Sequence, residues 1–109
     1  MNNLNSLIIE GVVKGEPHNE EVGASNVMYF TLEVARYYKT RDGNGVTELS
    51  QFKIVAYGQM AEYMASLPLK DGGGVRVVGR LKQNTWDDNG VTHSEVQVVA
   101  EHIEVRKTK

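Results

Sequence analysis

Between the third and fourth of five β-like stretches, this chain carries one stretch with a helical period, and that order leaves few folds open. "VMYFTLEVARYY" (27–38) sets Phe30, Leu32 and Val34 against Tyr29, Thr31 and Glu33, the period-two pattern of a strand with one face buried. "LNSLIIEGVV" (4–13), "TELSQFKIVAY" (47–57), "VRVVGRLKQNTW" (75–86) and "THSEVQVVAEHIEV" (92–105) have the same character. In "GQMAEYMASLP" (58–68), Met60, Met64 and Leu67 recur at i, i+4 and i+7, and Pro68 ends the helix. "KGEPHNEEVGAS", "RDGNG", "KDGGG" and "DDNG" read as loops.

The order β-β-β-α-β-β within 109 residues predicts a single all-β domain over 1–109, an OB-fold. That fold is a five-stranded Greek-key barrel with one short helix between strands three and four. A β-sandwich, the alternative, usually needs about seven strands. Gly11 and Gly79 fall inside strands, where a barrel bends sharply and a side chain would obstruct it.

The lone tryptophan poses the functional question. In "GRLKQNTWDDNG", Trp86 has Lys82, Gln83, Asn84, Asp87 and Asp88 about it rather than Leu and Val. The Asn-Gly pair predicts a hairpin tip. Alternation turns Val75, Val77, Gly79 and Leu81 inward and Arg76, Arg80, Lys82, Asn84 and Trp86 outward, with Val78 the exception. Cations interleaved with a flat ring suit a single-stranded nucleic acid, whose phosphates follow the charges while bases stack. Packing of Trp86 onto its own barrel is the competing expectation.

A net charge of −2 speaks against a polyanion ligand, but its distribution does not. Residues 36–86 hold eight bases against four acids, and the remainder four against ten. Such polarity is compatible with one anion-binding face; chance clustering on a solvated surface is the other reading.

Catalysis is not expected. His18, His93 and His102 lack metal-ligand spacing, and the chain has no cysteine. Alternation sends Asp87 and Asp88 apart, and "KDGGGV" lacks the Gly-Lys-Ser/Thr ending of a phosphate loop. No cofactor is expected. The absence of an 18-residue apolar run, a leader and cysteine leads to the expectation of a cytoplasmic protein with no membrane partner.

"LIIEG", "FTLEVA", "FKIVAYGQMAE", "VVGRLKQNTWDDNG" and "THSEVQVVAEHIEV" form an ordered set at characteristic spacing. Across nearly its whole length the chain resembles the DNA-binding domain of the bacterial single-stranded DNA-binding proteins. The resemblance implies a nucleoid-associated homotetramer, with a dimer as fallback, that coats single-stranded DNA in replication, recombination and repair. It places stacking platforms at Tyr38, Phe52, Tyr57 and Trp86, with Tyr37 the competitor of Tyr38. Phosphate contacts fall to Arg36, Lys39, Lys53, Arg76, Arg80 and Lys82. Phe52 and Tyr57 have opposite parity, so a bulge or bend is needed for both to face outward. The basic complement departs from the family at Gln83, Asn84 and Thr85, and at Asp71, where a lysine is common. The family's acidic tail does not follow "EVRKTK", so recruitment of replication and repair proteins through it is not expected of these 109 residues. A primosome-type OB accessory protein and an OB assembly module are the alternatives.

Overall fold

The computed structural model describes residues 2–106. Five strands and one helix follow in order: β1 (Leu7–Val22), β2 (Ser25–Lys39), β3 (Gly45–Tyr57), α1 (Gly58–Ala65), β4 (Gly74–Asp88) and β5 (Val91–Arg106). They close a barrel in the order β1-β2-β3-β5-β4. Every pairing is antiparallel except β3–β5, where Ile54 and Val55 lie beside Val98 and Val99. The helix between β3 and β4 separates them in the chain, and β5 fills the gap as the Greek key requires. This is the expected OB-fold.

One face of each strand supplies the core, in which Phe30, Leu32, Ile54, Met64, Val75, Val77 and Ile103 are almost wholly buried. Burying each such side chain is worth ~1.5–3 kcal/mol. Helix α1 contributes Ala61 and Met64, while Met60 and Leu67 pack more loosely against the same cluster. It ends earlier than its periodicity predicts. Ser66 and Leu67 donate their backbone N–H groups three residues back, to Tyr63 and Met64, and the Ser66 hydroxyl also donates to the Tyr63 carbonyl at 2.6 Å. Pro68 disfavours the helical conformation at Leu67 as well.

Gly11 and Gly79 mark the close approaches of the barrel wall. A Cβ at Gly11 would collide with the Glu33 carbonyl, and one at Gly79 with the Val99 carbonyl. At Gly79 the β4–β5 register also shifts, one extra residue of β5, Glu101, standing between the partners of Val78 and Gly79.

Two expectations need correction. "KGEPHNEEV" is not a loop: β1 continues to Val22, with its register broken between Lys14 and His18. Gly15 (φ 81°) turns the backbone there, and Pro17 has no N–H for the ladder. Leu81 is not core, being 47 % exposed. β1 pairs with β4 only as far as Gly79, so Leu81 lies where β4 keeps β5 as a ladder partner but has lost β1 on its other side.

Candidate nucleic-acid interface

Beyond Gly79 β4 parts from β1, the β4–β5 hairpin then runs on past the β3–β5 pairing, and residues 81–90 are all exposed. Its tip is the two-residue turn Asn89-Gly90, with φ of 51° and 81°, as the Asn-Gly pair predicts. Asn5 steadies its root: its carboxamide donates to the Leu81 carbonyl (2.7 Å) and accepts from the Leu81 N–H (2.9 Å), as a paired strand would. A two-residue turn sets Trp86 opposite His93, and their rings stack at 5.5 Å with 21° between planes. Trp86 is 44 % exposed and is not a core residue.

Lys82, two turns of the pleat below Trp86, shares its face. From β4 its side chain reaches across β5 to β3, placing the ammonium 4.9 Å from the centre of the Tyr57 ring and 3.5 Å from its hydroxyl oxygen. On this outer face of β5, Gln97 and Val99 are buried, and the Gln97 Oε1 has no hydrogen-bond partner among the described residues. The methylene stem of Lys82 explains part of that cover, since Gln97 is its direct cross-strand partner.

A second ring and cation meet on the same face. Pairing of Val27 with Tyr57 and of Tyr29 with Val55 makes Tyr29 the diagonal neighbour of Tyr57. The Lys53 ammonium lies 4.6 Å from the centre of the Tyr29 ring. The Tyr29 hydroxyl donates to Glu20 at 2.9 Å, and that hydrogen bond, with lesser help from desolvation and the carboxylate's charge, raises the phenol above its ordinary pKa.

The remaining expected residues separate from this group. Register between β2 and β3 runs unbroken from Val27–Tyr57 to Lys39–Gly45, so no bulge brings Phe52 round to the face of Tyr57. Phe52 is paired with the core residue Leu32 and lies half-exposed on the opposite face. Tyr38 shares that face, with the Arg36 guanidinium 5.0 Å over its ring. Tyr37 and Lys39 have the parity of Tyr57 instead, and Tyr37 is 64 % exposed against 36 % for Tyr38. Arg76 is held by Glu10 at 2.6 Å, with Arg106 on the same carboxylate at 3.2 Å. Arg80 lies 3.8 Å from Glu101. Among the described residues, Lys53, Lys82, Arg36 and Lys39 make no ion pair.

His93 and Tyr29 were not singled out from the sequence. The outward parity of Tyr29 was visible in the alternation of its strand, and the partner of Trp86 follows by counting back from Asn89-Gly90. No helix of the described residues is long and apolar enough to cross a membrane.

Residues 4–106 match the single-strand binding protein family. The single-stranded DNA-binding protein of Aquifex aeolicus (strain VF5) is 37% identical over 101 residues, 92% of this chain and 68% of that protein. Single-stranded DNA-binding protein 1 of Chlorobaculum tepidum is 33% identical over 87 residues, and the match spans 79% of this chain but only 53% of the relative's length. Among solved structures, the Plasmodium falciparum SSB complex with ssDNA superposes with a TM-score of 0.85, at 20% identity and covering 98% of both chains. At that identity the superposition establishes the shared fold.

Proposed function

The chain belongs to the single-strand binding protein family, and from that premise we propose that it binds single-stranded DNA with little regard to sequence. Its role is to coat exposed strands, protecting them and removing secondary structure during replication, recombination and repair. The activity is binding rather than catalysis. Such work belongs in the cytoplasm, on the nucleoid.

The observation that carries this reading is the line from Trp86 through Lys82 to Tyr57: an exposed indole, then an ammonium with no ion pair among the described residues, then a second exposed ring, on one face of three adjoining strands. Bases stack on Trp86 and Tyr57, while Lys82, Lys53 and Arg80 receive phosphates. Tyr38, Phe52 and Arg36 serve a continuing strand along the β2–β3 ribbon, with Lys39 and Tyr37 available from its other face. Arg76, engaged by Glu10, is left out of the contact set.

Assembly into a homotetramer is supported by β1. Among the described residues, its residues 7–11 have β4 on one side and no ladder partner on the other, while Ile8 stands 71 % exposed on the outer face. A free apolar edge of this kind invites pairing with its copy. Light scattering is expected to give four times the 12.1 kDa chain mass, or twice it for the dimer; the single-chain mass overturns the assembly.

Titration of Trp86 emission with dT oligonucleotides at two salt concentrations tests the binding. Quenching is expected, with log K falling against log salt by ~0.7 per phosphate neutralised. An unquenched tryptophan, or affinity indifferent to salt, overturns the reading.

A further inference from the structure

We propose that His18, backed by Tyr29, forms an additional base-stacking subsite on the β1–β2 hairpin; this rests on the binding of single-stranded DNA proposed above. Two hairpins flank the Tyr57–Lys82 contact, and each carries the same device. On the β4–β5 hairpin, Trp86 stands directly opposite a histidine, with rings 5.5 Å apart and 21° between planes. On the β1–β2 hairpin, Tyr29 stands directly opposite His18, with rings 5.1 Å apart and again 21° between planes. Cross-strand pairs share a face of the sheet, so His18, Tyr29 and the diagonal neighbour Tyr57 look outward together.

The chemistry at the second device suits a nucleotide. Lys53 brings a cation to the Tyr29 ring at 4.6 Å, as Lys82 does to Tyr57 at 4.9 Å. The Tyr29 ring is already fixed through its hydroxyl by Glu20, so little side-chain freedom remains to be lost when a ligand arrives. His18 is exposed and presents the outer face of the stacked pair. Beside it lies an open cavity of about 320 Å³, lined by Lys14, His18, Tyr29, Thr31, Lys53 and Glu95 among others. That is the lower end of the range for small-ligand sites, room for one base. Glu16 and Glu95 on its wall repel a phosphate, and Lys14 lies 4.0 Å from Glu33, which leaves Lys53 as the cation for the sugar–phosphate chain and the imidazole for the base.

The experiment moves the fluorophore. In a Trp86→Phe background, His18→Trp places the chain's sole tryptophan at the proposed platform, an exposed position tolerant of replacement. Poly(dT) is expected to quench it strongly. In the otherwise unaltered chain, His18→Ala is expected to weaken binding of a strand of about 16 nucleotides by roughly fivefold to a hundredfold, and His18→Phe much less, since a π-face remains. An unquenched tryptophan at position 18, with His18→Ala binding as tightly as the parent, overturns the subsite. Quenching of Trp86 in the parent protein by the same strand keeps that failure separate from failure of DNA binding itself. A parent chain that poly(dT) does not quench overturns both.

Discussion

Lys82 and Tyr57, on strands that are not neighbours, meet over β5, the ammonium 4.9 Å from the ring centre and 3.5 Å from the hydroxyl oxygen. An exposed cation over a ring is worth ~0.5–1 kcal/mol, which is little for the fold. On the proposed reading its use lies in the spacing, with the charge held for a phosphate and the ring beside it for a base. Lys82→Met keeps the stem over Gln97 and removes the charge. Melting should shift by less than ~0.5 kcal/mol in stability, while the salt slope of DNA binding should fall by ~0.7. An unchanged slope in a titration series would remove Lys82 from the phosphate contacts.

Gly79 is where the barrel wall tolerates no side chain, because a Cβ would meet the Val99 carbonyl at the register shift. Backbone cannot swing aside as a flexible side chain can. Gly79→Ala should therefore cost ~1–3 kcal/mol or more, seen as a drop in melting temperature. Asn84→Ala, on the exposed ribbon of the same strand, should stay within ~0.5 kcal/mol. Equal melts for the two variants would contradict the close approach.

The β2–β3 turn has its own pH dependence. The Thr40 hydroxyl donates to the Asp42 carboxylate, which lowers that carboxyl from its ordinary 3.8, with backbone N–H groups adding to the effect. A pKa lowered by folding means that the charged form stabilises the turn. The contribution is full above the ordinary value and is lost as pH falls through the lower, folded one. Thr40→Val should move Asp42 back toward 3.8 in a carboxyl NMR titration, and a titration curve left in place would refute the assignment.

The fold was largely written in local pattern. Val75 and Val77 alternate inward as read, and the two in-strand glycines fall at close approaches. Leu81 has the same inward parity yet is exposed, because its burial depends on β1 continuing beside β4, and where β1 stops pairing is not a local property. The opposite parity of Phe52 and Tyr57 was legible and holds, since nothing breaks the β2–β3 register. Tyr57 and Lys82 were each named, but their meeting was not, because 25 residues separate them and only the Greek-key order brings β3 and β4 to either side of β5. Pro17 and Gly15 hid the far half of β1, since a bulge and a loop use the same residues.

Trp86 decides between display and packing. It lies on a ribbon whose residues 81–90 are all exposed, with one face of its indole covered by His93. Trp86→Ala should weaken single-stranded DNA binding by ~1–3 kcal/mol and leave the melting temperature nearly unchanged, since little apolar area is lost from the core. Trp86→Phe should lose much less. His93→Ala should give a smaller loss than Trp86→Ala, because it removes the ring that holds the indole in place rather than the platform itself. The two alanine variants combined should then cost less than the sum of the singles, as expected for residues in contact that act as one unit. A core tryptophan would behave in the opposite way, with truncation costing ~3–5 kcal/mol of stability and affinity of the folded fraction unaltered. Melts and titrations on the same four proteins separate the cases: a large fall in melting temperature without a fall in affinity would make Trp86 a packing residue after all.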